Sequence, residues 1–134
     1  TIWSRKVIKT FTYDEWYAGH GYLEDVDFSF RVGLEYRLFV VGNSTCLHHS
    51  NQLDDSQQYV FGKQQIFNRF YFVRKIKTFS KIFFCWAIFG TILMNITALI
   101  KTLDQPHMDR VKGNLEGLYG ALKNNKSSIY GFWK

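Results

Sequence analysis

The spacing of apolar positions along this 134-residue chain changes several times, and each change marks a predicted element. Arg5 to Thr10 is short and basic, and its apolar members Val7 and Ile8 fit either a helical turn or a strand end. The aromatic-rich stretch Phe11-Thr12-Tyr13-Asp14-Glu15-Trp16-Tyr17 either lines a groove or covers one end of a small core, and Gly19 and Gly21 behind it permit tight turns. From Glu24 to about Val32 the spacing is helical. Val26 and Phe30 share one face there, Asp25 and Ser29 another, and Gly33 ends the run. Tyr36-Arg37-Leu38-Phe39-Val40-Val41 is rich in β-branched and aromatic residues and predicts a strand. Gly42-Asn43 then makes a turn into a second short extended segment, Ser44 to His48, and Gln52 to Gln58 reads as polar loop.

In the second half aromatic and basic residues first interleave. Helical spacing over Gln64 to Lys77 places Phe67, Phe70 and Tyr71 on one side with Arg74 nearby, and Ile66, Arg69 and Val73 round another. Ile82 to Ile100 follows, 19 residues without a charge between Lys81 and Lys101. That is close to the ~20 residues that cross a bilayer core. So small a chain has little with which to surround a helix apolar on every side. Asn95 and Thr97 weaken a full span, so a transmembrane placement, an in-plane or re-entrant one, and the buried core helix of a soluble protein all stand. Beyond a break at Pro106, Asp109 to Lys123 predicts a helix with Val111, Leu115, Leu118, Tyr119 and Leu122 as its apolar stripe. Gly113, Gly117 and Gly120 weaken that helix in isolation.

A formal charge of +6 and a pI near 9.4 call for an anionic partner. The aromatic–basic stretch suits stacked bases and phosphates, or rings at headgroup depth. The adjoining apolar segment decides for anionic membrane lipid, with no nucleic acid expected. Arg69, Arg74, Lys75, Lys77 and Lys81 precede that segment, whereas Lys101, Arg110 and Lys112 follow it, an asymmetry that favours a cytoplasmic face for the N-terminal part. Cys46 and Cys85 have neither metal-ligand nor CxxC spacing and read as buried thiols in a reducing compartment. The opening Thr1-Ile2-Trp3-Ser4-Arg5-Lys6 has no secretory apolar region behind it and no Met, which predicts a partial chain.

Glu24, Asp25 and Asp27 place three carboxylates within four residues. Crowded carboxylates raise one another's pKa unless a cation, a proton or a helix N-terminus compensates. They are either an acidic helix start or an active-site acid cluster. In the second case Asp25 is the candidate general base and Glu24 its competitor, since adjacent carboxylates point different ways. His48 is a candidate metal ligand, because Mn²⁺ accepts imidazole beside oxygen donors, with His49 behind it or exposed. Asp14 and Glu15 belong to an acceptor site, or Asp14 merely caps a turn.

Tyr13-Asp14-Glu15-Trp16, then Glu24-Asp25-Val26-Asp27-Phe28-Ser29-Phe30-Arg31, then His48, and finally Asn68-Arg69-Phe70-Tyr71-Phe72-Val73-Arg74-Lys75 together resemble the second half of a bacterial family 2 glycosyltransferase of the rhamnosyltransferase or O-antigen type. The resemblance implies an α/β fold: a partial GT-A domain over residues 1–78, a transmembrane or interfacial helix over 79–101 and an amphipathic helical tail over 102–134. It implies an inverting enzyme of polysaccharide biosynthesis at the cytoplasmic face of the bacterial inner membrane. A sugar would pass from a nucleotide-sugar donor to a glycan or lipid-linked acceptor, with Mg²⁺ or Mn²⁺ easing diphosphate departure. Asp25 then matches the catalytic base with Glu24 beside it, and His48 a metal or diphosphate contact. Asp14, Glu15, Trp16, Asp27 and Arg31 match acceptor-binding or supporting positions. The donor-binding N-terminal half of such an enzyme, with its Asp-x-Asp metal motif, is missing, so these residues alone would be an inactive fragment that needs that half as partner. The alternative is a membrane-associated binding or scaffold module that makes no use of Asp25.

Overall fold

The computed structural model describes residues 1–17, 19–45, 47, 54–76 and 78–123. Among them are five α-helices and two short 3-10 turns, and no β-strand. A GT-A domain is built on a central sheet. The α/β fold class, the family 2 resemblance, and the glycosyltransferase activity and polysaccharide or O-antigen role it implied are therefore corrected. Tyr36 to Val41 shows why. Residues 37–41 follow an irregular path with Phe39 and Val40 exposed, and the chain turns at Val41, where the Ser44 N–H donates to the Val41 carbonyl at 3.4 Å. A strand draws its stability from cross-strand pairs, and no described segment supplies a ladder. Of the second expected strand, Cys46 and His48 lie outside the described residues.

The chain divides into two compact units, Thr1–Gln52 and Leu53–Lys134. The first begins with α1 (Arg5–Thr10), capped by Ser4, whose hydroxyl accepts from the Val7 N–H at 3.4 Å. After a 3-10 turn at Glu15–Tyr17, positive φ at Gly19, Gly21 and Leu23 swings the backbone into α2 (Glu24–Gly33). Only Leu23 among these three carries a Cβ, so at φ 71° it holds a conformation costing roughly 1–2 kcal/mol. Val7, Phe28 and Val32 form the core, with Trp3, Phe11 and Tyr36 packed against it. Tyr13 stacks on Phe28 at 4.3 Å, so rings of the aromatic-rich stretch cover a small core.

The second unit contains α3 (Gln58–Lys75), α4 (Lys81–Thr102) and α5 (Gln105–Leu122). Within α3 the interleaved rings and cations meet one turn apart. Arg74 lies over Phe70 at 5.9 Å and Lys75 over Tyr71 at 5.8 Å. Leu103, left-handed at φ 52°, ends α4, and the Asp104 carboxylate caps α5 by accepting from the His107 N–H at 2.9 Å. Contacts of α3 with α5 ascend together, from Gln58–Arg110 through Gly62–Asn114 to Arg74–Ala121, so these helices run parallel. Phe70 meets Phe84 and Gln65 meets Asn95, so α4 runs antiparallel to α3.

Glycines govern the α3–α5 contact. A Cβ on Gly62 would sit 2.2 Å from the Arg110 carbonyl oxygen, and one on Gly113 would sit 2.1 Å from the Tyr59 oxygen. Gly113 and Gly117, expected only to weaken α5, instead let two backbones touch. Gly113→Ala is expected to destabilise the second unit by about 1–3 kcal/mol, the range for overpacking. Gly90→Ala on α4, where a Cβ meets nothing within 4 Å, should be neutral or stabilising by up to ~1 kcal/mol. Urea unfolding followed by far-UV circular dichroism separates the two, and equal effects would show that backbone contact is not what the glycines provide.

Candidate functional site

The acid cluster occupies the first turn of α2, which opens without a side chain of the N-cap residue Leu23 capping it, and the positive end of the helix dipole favours negative charge there. Asp25 is exposed, and its Oδ1 accepts from the Val26 N–H at 2.9 Å. Glu24 is half-buried and folds back on the preceding turn; a Cβ on Gly21 would lie 2.7 Å from its Oε2. Asp27 points the other way and is fully buried. Its Oδ2 accepts from Arg31 Nε at 2.8 Å, while Arg31 Nη2 donates to the Thr12 carbonyl at 2.8 Å and the guanidinium lies over the Phe28 ring at 5.6 Å. Arg31 thus ties one turn of α2 to the aromatic stretch. Asp14 Oδ1 accepts from the Trp16 N–H at 2.9 Å and so shapes the turn in which Glu15 is exposed and Trp16 half-buried. His48, the expected metal ligand, lies outside the described residues. Among the described residues no three His, Cys, Asp or Glu converge to hold a metal ion. Of the expected site residues, the structure joins Asp27 and Arg31 and leaves Asp25 on the surface.

Arg31→Ala would remove the cation that holds the buried Asp27 carboxylate and is expected to cost on the order of 3 kcal/mol. Asp25→Asn on the exposed side should change stability by less than about 0.5 kcal/mol. Thermal melts of the two variants test this, and an Arg31→Ala melt matching the parent's would remove the clasp from the account.

The larger feature is in the second unit. Three side-chain amides, one from each helix, meet in its interior. Asn95 Nδ2 donates to Gln65 Oε1 at 2.9 Å and to Asn114 Oδ1 at 2.6 Å. Asn114, itself fully buried, donates to the Gly62 carbonyl at 2.6 Å. Asn95 fixes which side of α4 faces inward: Phe84, Ile88 and Asn95 share that side. The opposite side carries Ile82, Phe83, Trp86, Phe89, Leu93, Met94 and Ile100, each between 46 and 81% exposed. An open groove lined by Ile82, Phe83, Cys85, Trp86 and Phe89 runs along it beside Lys81. Cys85, expected to be a buried thiol, is exposed there. At 22 residues α4 is long and apolar enough to cross a membrane, yet only 11% of its most apolar window is buried.

Neither the amide cluster nor the backbone contact was predicted from the sequence. The signal was the small-residue spacing Gly113-x-x-x-Gly117 with Gly120 and Ala121 beyond it. No protein-family model matches the chain, and neither a curated protein nor a solved structure matches it.

Beside the amides, Glu116 accepts from the buried Lys63 Nζ at 2.6 Å and from the Tyr59 hydroxyl. The Lys63 bond, then the Tyr59 bond, hold the Glu116 carboxyl below its ordinary range. Burial first, then Glu116, push the Tyr59 phenol up to about 12. Because the folded value of Glu116 is lowered, its contribution is present above the ordinary carboxylate value of 4.5 and lost as pH falls through the lower, folded one. The Tyr59 contribution is complete below 10 and lost as pH rises toward 12. Unfolding midpoints measured against pH should show both limbs in the parent. Glu116→Gln should flatten the acid limb, and an unchanged limb would exclude this carboxylate as its source.

Proposed function

We propose that the second unit is a membrane-association module, in which α4 lies in the plane of a bilayer surface with its exposed apolar side among the acyl chains. The observation that carries this reading is the solvent-facing row from Ile82 to Ile100 on a helix whose Asn95 is turned inward. A soluble unit has no reason to present so many large apolar side chains along one helix. In-plane placement is favoured over a span by what α4 packs against. Lys63, Arg69, Arg110, Lys112 and Glu116 stand on the two helices alongside it. Crossing the hydrocarbon with that packing kept would draw such groups in, at roughly 2.5–3.5 kcal/mol for each basic residue near the centre. An in-plane helix with one apolar side avoids this cost and keeps the polar interior intact.

The test is co-flotation of the 134-residue protein with vesicles of phosphatidylcholine and phosphatidylglycerol in a 7:3 ratio. Phe83→Ser/Trp86→Ser removes two exposed rings, each worth roughly 1.5–3 kcal/mol on full burial, and should lower partitioning at least tenfold. An amine reagent that does not cross bilayers, added outside, should label both Lys81 and Lys101. Labelling of one end alone would establish a span, and undiminished partitioning of the double variant would remove α4 from the contact.

A further inference from the structure

The charge of the protein is divided unevenly between its units. Leu53–Lys134 carries 12 Lys and Arg against 5 Asp and Glu, whereas Thr1–Gln52 carries 5 against 6. Within the second unit the division is sharper still. From Ser56 to Leu103, through the whole of α3 and α4, the sequence contains no Asp or Glu and seven Lys or Arg, five of them between Arg69 and Lys81. A solvated helical surface ordinarily mixes both signs, so a run of 48 residues without a carboxylate is built to face negative charge. The antiparallel packing gathers three of these cations, Arg74, Lys75 and Lys81, at one end. Phe70 meets Phe84 edge-on at 4.8 Å, which sets the exposed Arg74 and Lys75 at the close of α3 beside the exposed Lys81 at the start of α4. The carboxylates of Asp104 and Asp109 belong to the opposite end of α4, where Asp104 caps α5 and Asp109 pairs with Lys112 at 3.6 Å. Phe83 and Trp86, both exposed, follow Lys81 within two turns. Cations beside aromatic rings at the rim of an apolar surface match the phosphate layer above the acyl boundary.

We infer that the end of the second unit where α3 passes into α4 binds the phosphates of anionic phospholipids, making attachment selective for negatively charged bilayers. This rests on the in-plane reading of α4. The apolar side supplies depth, and the Arg74–Lys75–Lys81 corner supplies the choice of lipid and fixes which end of the helix engages first.

The parent protein is compared on pure phosphatidylcholine vesicles and on the 7:3 phosphatidylglycerol mixture, at 0.1 M and 0.5 M salt. Binding to the mixture should exceed binding to phosphatidylcholine at least tenfold at low salt, and the excess should shrink at high salt. Lys75→Gln/Lys81→Gln should lose roughly fivefold per cation, about 25-fold in all, on the mixture and little on phosphatidylcholine. Lys9→Gln/Arg37→Gln, which removes the same net charge from the other unit, should leave the excess in place. Far-UV circular dichroism checks that these exposed substitutions keep the fold. Equal binding to both vesicle types would overturn the inference and leave in-plane attachment standing, whereas binding to neither would overturn both. Equal losses from the two double variants would reduce the effect to net charge and overturn it. Tighter binding to a single-stranded oligonucleotide than to the anionic vesicles would overturn it in favour of a nucleic-acid surface.

Discussion

The approach of α3 and α5 to backbone contact is the constraint on which the second unit depends. Two helices come that close only where side chains are absent, and Gly62 and Gly113 remove them at facing positions. The closeness brings Asn114 within reach of the Gly62 carbonyl and of Gln65. A third amide, Asn95, then enters from α4. Glycines are costly inside a helix, by about 1 kcal/mol each relative to alanine. Here that loss is offset by dispersion contacts along the seam and by the satisfied amides it admits. Lys63, also buried, is tolerable because the Glu116 carboxylate accepts from its ammonium at 2.6 Å.

Helices were legible where a long uncharged apolar run or a single apolar face carried the signal. The apolar run between Lys81 and Lys101 became α4, one residue longer at its start and two at its end, and Glu24 to Val32 became α2 with Gly33 added. Tyr36 to Val41 was misread for a physical reason: β-branched and aromatic content reports fitness for a pleated surface, and that surface exists only when a neighbouring strand provides it. The tail was read half correctly. Its helix was expected, but its glycines were weighed by intrinsic propensity alone, which is silent about a partner helix. The family resemblance rested on short motifs whose meaning required a sheet, and the helical architecture withdraws that meaning.

The acid-rich start of α2 illustrates how one motif divides. Asp27 and Asp25 are two residues apart, hence on opposite sides of the helix, and their surroundings differ accordingly. Asp27 is held by Arg31, which also reaches the Thr12 carbonyl, so this pair is part of the packing between α2 and the aromatic stretch. Asp25 borders solvent at the helix N-terminus. Sequence spacing could assign opposite faces, but not which face would be covered, because the covering rings of Phe11 and Tyr13 come from an irregular segment.

Asn95 has a consequence for how the protein meets a surface. A helix as uniformly apolar as α4 has little to stop it rolling about its own axis or sliding by a turn against its neighbours, since leucine-like side chains exchange contacts with small penalties. An amide that must reach two partners at once admits one angle and one register. Any roll would bury it away from Gln65 and Asn114 with its hydrogen bonds unmade. This single polar residue therefore acts as a key in a slot: it sets the rotational phase of the whole helix, and with it which seven apolar side chains are presented outward.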